Sequence, residues 1–399
     1  CYCSFMDKLP VRFLAIALLL PMCLGFGNAS AKPKFENYVE SLYPAAAAAG
    51  VSWETFHSAT KGMTYNSKLV GLTKAQPEFK RSIGQYIDKR VVSSQVASGR
   101  KMAGKYKNTL DSIERKYGVD PYVVVAIWGM ETNYGGYIGK SDTLRSLASL
   151  AYSGYRRDLY EKEFVNALLL LQTEKLSPNQ LRGSWAGAVG QTQFMPSSFL
   201  QYAVDHNGDG KRDLWKSEAD ALASAANYLK QKGWKTGVPW GFQVNLPKNI
   251  DLTKADDSFA GWKKRGVVRT DGRPLPSKGD ATLFFPSGVE GLAFLVTDNF
   301  FVIKEYNFSD AYALAVAHLA DRIANRSSSF EGSWNLERPL NKDERVALQQ
   351  KLKEMGYPVP RTDGRVNLPM REVIRMYQAR NGMTPDGHMD EDVYNAVFN

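Results

Sequence analysis

One stretch, residues 120–136, limits what this chain can fold into more than any other: an apolar run that ends in a single carboxyl, Glu131. Asp120 suits the cap of a helix, and Pro121 suits the first helical position, where a missing N–H costs nothing. Val124, Ile127, Trp128 and Glu131 fall at helical spacing on one face. The pattern predicts a helix that stops at Gly135-Gly136. Glu131 then has two readings. It is a helix-end residue turned toward water, or it is a general acid. Partial burial against Trp128 and Tyr134 and the negative end of the helix dipole would both raise its pKa. A raised pKa suits a group that protonates a glycosidic oxygen. These residues alone leave both readings open.

A length of 399 residues allows two or three domains. Residues 7–12 carry Asp7, Lys8 and Arg12, 13–26 are apolar, and Ala29-Ser30-Ala31 follows, which is the layout of a secretory signal peptide over residues 1–31, translated from Met6 and cleaved after Ala31. The apolar run is short for a membrane span, so no transmembrane segment is expected in the mature chain. A lipid anchor at Cys23 is the weaker reading, because Leu20-Pro21-Met22 makes a poor lipoprotein signal. Cys1, Cys3 and Cys23 all lie in or before the leader, so the exported protein is expected to hold its cores without disulfides. His57, His206, His318 and His388 are too widely spaced for a histidine zinc site. The formal charge of +10 suits an anionic polymer, nucleic acid or lipid. No block of Arg and Lys interleaved with aromatics marks a nucleic-acid groove, so nucleic acid is not an expected partner.

Periodicity predicts helices over 94–117, 156–171, 219–233, 290–302 and 310–323. Residues 237–286 mix Gly, Pro and Lys with short apolar pieces and read as inserted strands and loops. Residues 326–340, with Ser327-Ser328-Ser329 and Pro339, read as a linker. Beyond it, 341–399 reads as a compact three-helix unit. Asn341 and Glu344 form a capping box, Pro369 starts the second helix, and the third covers 390–398. The fold class is mainly α: a helical catalytic body over 32–325 with a small strand and loop insert, then this C-terminal domain.

Other groups could carry chemistry. Asp142 and Asp158 follow Glu131, but spacing places neither beside it, so the two-carboxylate arrangement of most glycosidases does not emerge. The second catalytic group lies elsewhere or on the substrate. Residues 183–196 are rich in glycine and alanine, and Gln191 and Gln193 offer the donors and acceptors that sugar hydroxyls and acetamido groups require. Tight helix packing explains the same segment equally well. Asp205, Asn207 and Asp209 followed by Gly210 match the front of an EF-hand loop, to which Lys211 would lend its carbonyl. Lys216 stands at the twelfth position in place of the usual Glu, which leaves Asp220 as the late carboxylate. A compact Asp-Gly turn is the alternative. Tyr228, Tyr306 and Asn307 read as packed, capping or ligand-facing residues.

Taken together, several motifs in order resemble the B-type lytic murein transglycosylases over residues 35–323. They are Gly129-Met130-Glu131-Thr132-Asn133-Tyr134-Gly135, Gly183-Ser184-Trp185-Ala186-Gly187-Ala188, Gln193-Phe194-Met195-Pro196-Ser197-Ser198, Ala203-Val204-Asp205-His206-Asn207-Gly208-Asp209-Gly210, Ala225-Ala226-Asn227-Tyr228 and Tyr306-Asn307. The tail resembles the three-helix peptidoglycan-binding domain through Leu348-Gln349, Met355-Gly356-Tyr357, Asp363-Gly364, Tyr377-Gln378 and Asp386-Gly387. Tyr377 stands where that pattern has Phe, and residues 365–368 depart from its glycine-containing form.

The resemblance implies a lysozyme-like fold in which Glu131 is the sole acid and base. It would cleave the bond between N-acetylmuramic acid and N-acetylglucosamine without water, leaving 1,6-anhydromuramoyl ends. Ser184, Gln193, Tyr228, Tyr306 and Asn307 would contact substrate. Asp205, Asn207, Asp209, the Lys211 carbonyl and Asp220 would hold a structural Ca2+, with no organic cofactor. The expected partners are peptidoglycan glycan strands, with room for other cell-wall enzymes, and the expected location is the periplasm. A hydrolytic muramidase and a non-catalytic wall-binding protein are the alternative functions.

Overall fold

The central helix starts as its sequence predicts. The Asp120 carboxylate accepts a hydrogen bond from the Tyr122 amide at 2.9 Å, with Pro121 in the first turn. The helix spans Pro121–Thr132 in the computed structural model, which describes residues 33–73, 81–327, 329–335 and 338–399. The leader over residues 1–31 lies outside the described residues. Every residue from Val123 to Met130 is buried, so the helix is surrounded on all sides and other helices wrap around it.

The helix ends three residues before the expected glycines. Asn133 and Tyr134 both take left-handed backbone, at φ 52° and 58°. This turn brings the Tyr134 ring edge-on to Trp128, with centroids 5.8 Å apart. Gly129 leaves the room: a Cβ there would come within 2.6 Å of the Tyr134 ring. Left-handed non-glycine residues cost of order 1–3 kcal/mol each, a cost that burial of the ring offsets.

Around this helix pack Ser93–Lys105, Lys107–Tyr117, Glu218–Gln231 and Asp310–Ile323. The last has the bounds read from its Ala and Leu pattern and is buried along nearly its whole length. The single helix expected over 94–117 is broken at Tyr106, whose ring sits edge-on to Trp128 at 5.6 Å. A tertiary contact makes the break, and helical periodicity does not register it.

The insert is a five-stranded antiparallel sheet in the order Asp256–Ser258, Asp280–Phe284, Ala293–Val296, Gly241–Asn245, Val268–Arg269. One face has its own small core around Phe259, Trp262, Leu283 and Leu295, while Phe284, Phe294 and Val296 join the main core. The helix expected over 290–302 is therefore corrected. Its first part is a central strand, and the helix Asp298–Tyr306 begins only after Thr297, which caps it. A short apolar run buried on both faces carries no period to tell strand from helix.

The C-terminal helices are Lys342–Glu354, Leu368–Arg380 and Glu391–Phe398, and the capping box between Asn341 and Glu344 is present. The segment that reads as a linker is laid onto the body. Phe330 stacks on His318 at 3.9 Å, and Trp334 stacks on Phe294 at 6.2 Å. Among the described residues no helix is long and apolar enough to cross a membrane.

This strap makes a pH signature. Burial, and secondarily the Arg322 charge, push the His318 imidazole down to about 3 from an ordinary 6.5. The fold therefore holds the neutral form. The stability it contributes is complete above pH 6.5 and is lost as pH falls toward about 3, at roughly 1.4 kcal/mol per pH unit inside that window. Thermal melts across this range should show a steeper acid loss for the parent than for His318→Phe; parallel curves would refute the assignment.

Candidate active site

Glu131 stands in the last turn of the central helix, where carbonyls lack intrahelical partners. Side chains from elsewhere seal this end. The Arg90 guanidinium donates to the Met130 carbonyl, and the Gln95 amide donates to the Gly129 carbonyl at 2.9 Å. The Tyr134 hydroxyl donates back to the Gln95 carbonyl at 2.7 Å. A cation at this pole also complements the helix dipole. Glu131 is thereby fixed half-buried in the wall of a cavity of about 360 Å³, with Lys89, Arg90, Asn133 and Tyr137 beside it. Tyr137 also borders a second cavity, of about 430 Å³, with Lys140 and Arg182.

One direct partner of the carboxyl is a residue the sequence reading missed. Tyr312 donates its hydroxyl to Glu131 Oε1 at 2.6 Å. Burial first, and then the nearby Glu131 charge, push the Tyr312 phenol well above its ordinary range, so it remains a neutral donor. Tyr312 lies 181 residues away within a helix that reads as plain core. The available signal was chemical: a buried Tyr on an Ala and Leu face needs a partner for its hydroxyl.

Tyr306 feels the same carboxylate. Burial and the Glu131 charge raise its phenol as well, and its hydroxyl donates to the Thr192 carbonyl at 2.9 Å. Its ring lies edge-on to Tyr228 at 5.0 Å, and Phe194 packs within 6 Å of both rings. The Tyr228 hydroxyl donates to the Glu305 carbonyl at 2.6 Å. Tyr228, Tyr306 and the segment carrying Gln193 thus form one aromatic wall. Asn307 is exposed at the end of the helix Asp298–Tyr306. It does not cap the following helix, because Ser309 does.

The two glutamines divide. Gln191 is buried and structural: its Oε1 accepts from Trp128 Nε1 at 2.9 Å, its carbonyl accepts from Thr132 Oγ1 at 2.6 Å, and its amide donates to the Leu214 carbonyl at 2.8 Å. Gln193 is half-buried at φ 50°, and its Nε2 donates to the Gly190 and Ile138 carbonyls at 2.9 and 3.2 Å. Ser184 Oγ accepts from the Ala188 amide at 3.1 Å. The turn beneath it needs Gly183, where a Cβ would meet the Ala188 carbonyl at 2.0 Å. Asp142, the first carboxylate after Glu131, caps the helix Thr143–Ser153.

In the EF-hand-like loop, oxygens of Asp205, Asp209 and Asp220 lie within 4.8 Å of one another. Internal bonds shape the turn. Asp205 accepts from the Gly208 and Gly210 amides, Asn207 from Asp209, and Asp209 from Lys211. Asp220 is fully buried at the start of the helix Glu218–Gln231, and accepts from the His206, Asn207 and Asp213 amides. Three converging carboxylates repel one another, and hard oxygen donors of this kind fit Ca2+. The loop also supports the site. Leu214 accepts from Gln191, and Trp215 Nε1 donates to the Arg182 carbonyl at 2.8 Å.

Comparison with known proteins agrees with this geometry. The transglycosylase SLT domain family matches residues 34–321, and a peptidoglycan binding domain family matches residues 341–397. Membrane-bound lytic murein transglycosylase B of Escherichia coli is 35% identical over 247 residues, covering 60% of this chain and 67% of the relative. SltB3 from Pseudomonas aeruginosa, solved with NAG-anhNAM-pentapeptide, superposes with a TM-score of 0.80 at 39% identity, over 92% of this chain and all of that one. Escherichia coli Slt35 in complex with calcium gives a TM-score of 0.61 at 29% identity, over 75% and 96% of the two chains.

The Gln191 network makes its own prediction. Gln191→Leu leaves the buried Trp128 N–H without its acceptor, which should cost about 1–3 kcal/mol in chemical denaturation. An unchanged midpoint would show that the contact does not hold the site together.

Proposed function

We propose a residue-level mechanism for a chain that belongs to the B-type lytic murein transglycosylases, joined to a C-terminal peptidoglycan-binding domain. The chain is a peptidoglycan lytic transglycosylase that cleaves the MurNAc–GlcNAc β-1,4 bond and leaves 1,6-anhydromuramoyl ends. The observation that carries the assignment of its chemistry to Glu131 is the hydrogen bond from Tyr312. It holds one carboxyl oxygen with a neutral donor at the wall of the cavity.

In this reading protonated Glu131 gives its proton to the glycosidic oxygen, and the GlcNAc side departs with a free 4-hydroxyl. Positive charge gathers at muramoyl C1, where the 2-acetamido carbonyl stabilises it. Glu131, now ionised, takes the proton of the C6 hydroxyl, and that oxygen bonds to C1. No water enters, and Glu131 ends protonated as it began. A second carboxylate is unnecessary because the nucleophile is tethered, an advantage worth up to roughly 7–11 kcal/mol in favourable model reactions. Ser184, Gln193, Tyr228, Tyr306 and Asn307 position the glycan. The supporting features are the aromatic wall of Tyr228 and Tyr306, the fixed turn under Ser184, and the exposure of Asn307.

The domain reading has a cleaved leader at 1–31, the catalytic body at 32–325, a linker at 326–340 and the wall-binding domain at 341–399, with export to the periplasm. Asp205, Asn207, Asp209, Asp220 and the Lys211 carbonyl would hold a Ca2+ that stiffens the loop beneath Gln191. The calcium complex of Slt35 supports this.

Glu131→Gln should abolish anhydro product from purified peptidoglycan while sedimentation with sacculi stays near the parent level. Mass analysis of the parent products separates the readings: reducing ends in place of anhydro ends mean hydrolysis, and no release at all means a binder. For calcium, the parent's melting temperature should rise on adding the ion, by about 2.7 kcal/mol of stability at a hundredfold excess over Kd. Asp205→Asn and Asp220→Asn should lose that response. Equal melts with calcium and with chelator would sink the loop assignment.

A further inference from the structure

The loop between the helices Asp298–Tyr306 and Asp310–Ile323 holds Tyr306 and Asn307 at one end, and Tyr312 follows two residues after Asp310. The C-terminal domain grips this loop at three points. Arg371, in the helix Leu368–Arg380, donates to Asp310 Oδ2 at 2.8 Å. Lys304 pairs with Asp310 Oδ1 at 2.6 Å and donates to the Val366 carbonyl at 2.7 Å. The Arg365 guanidinium lies over the Phe308 ring at 4.2 Å.

The grip is buried at its centre. Arg371 and Lys304 are 5% and 6% exposed, and Arg371 also lies over the Phe284 ring at 4.5 Å. Burial works against the Asp310 charge, yet the two cations outweigh it and hold its carboxyl well below the usual range. Such a triad tolerates little displacement, because loss of one partner leaves an uncompensated charge inside the protein.

We propose that Arg371, aided by Arg365, is a positioning residue for transglycosylation: docking of the C-terminal domain sets where Asn307 and Tyr312 stand relative to Glu131. The domain then contributes to turnover itself, separately from any hold on the wall. This inference rests on the assignment of Glu131 and extends it to a second domain.

The test uses the full chain and a short soluble glycan bearing stem peptides, on which wall anchoring confers no advantage. Arg371→Met should lower kcat by roughly 10- to 100-fold, the scale of a misplacement of about 1 Å, with a smaller change in KM. Arg371→Lys, which keeps a cation for Asp310, should recover much of the loss. Arg365→Ala alters an exposed side chain, so it should fold as the parent does and lose kcat a few-fold; it decides the matter if Arg371→Met fails to fold. Parent-like kcat in the folded variants, or a change in KM alone, overturns the proposal. A parent that makes no anhydro product overturns the assignment of Glu131 instead.

Discussion

A buried helix cannot simply stop, because its last carbonyls need donors, and in this protein two other helices supply side-chain donors while the helix's own donors reach out to Gln191. Arg90 and Gln95 close one side of the central helix, and Thr132 ties the other to Gln191. The Trp128 indole bonds to the same glutamine from inside the core. That shared residue makes the end of the helix that carries Glu131, the glycine-rich turn and the EF-hand-like loop parts of one network, since Gln191 also reaches Leu214. Three hydrogen bonds thus link the loop at 205–220 to the last turn of the central helix, the turn that carries Glu131.

Tyr312 as a partner of Glu131 suits the proposed chemistry as well as the packing. A second carboxylate would repel the first and suit it to work with an external water. In the proposed reaction a phenol kept neutral by burial orients the carboxyl as acid and then as base without competing for the transferred proton. The tethered C6 hydroxyl then supplies the nucleophile that the protein omits. Single-carboxyl chemistry and an aromatic lining are two aspects of the same arrangement.

Much of this was legible along the chain, and the misses have a common cause. Asp120-Pro121, the Ala and Leu helix ending at Ile323 and the capping box at Asn341 are local signals, and each forms as read. Tertiary contacts override the rest. The ring of Tyr106 breaks a helix that periodicity continues, Tyr134 turns the chain before the glycines that seemed to end it, and Ala293–Val296 becomes a strand because the sheet needs a centre. At the site, Glu131 stood out as a carboxyl closing an apolar run, whereas Tyr312 stood out by nothing except the unmet need of a buried hydroxyl. Gln191 and Gln193 looked alike as text, and burial separates the first, a structural acceptor, from the second, which is half-buried.

The segment at 326–340 extends the lesson from residues to domains. Serine and proline content reads as slack, but Phe330 and Trp334 are the anchors by which this stretch is held to the body. The C-terminal domain that follows is joined to the body by an ion cluster at its interface. A buried triad of Lys304, Asp310 and Arg371 is a poor source of net stability, since desolvation consumes most of its attraction. What it supplies is discrimination among docked poses, because a shifted pose strands a charge where an apolar interface would slide. Geometry, and not adhesion, is what such an interface secures, and it is secured next to the loop whose placement the reaction needs.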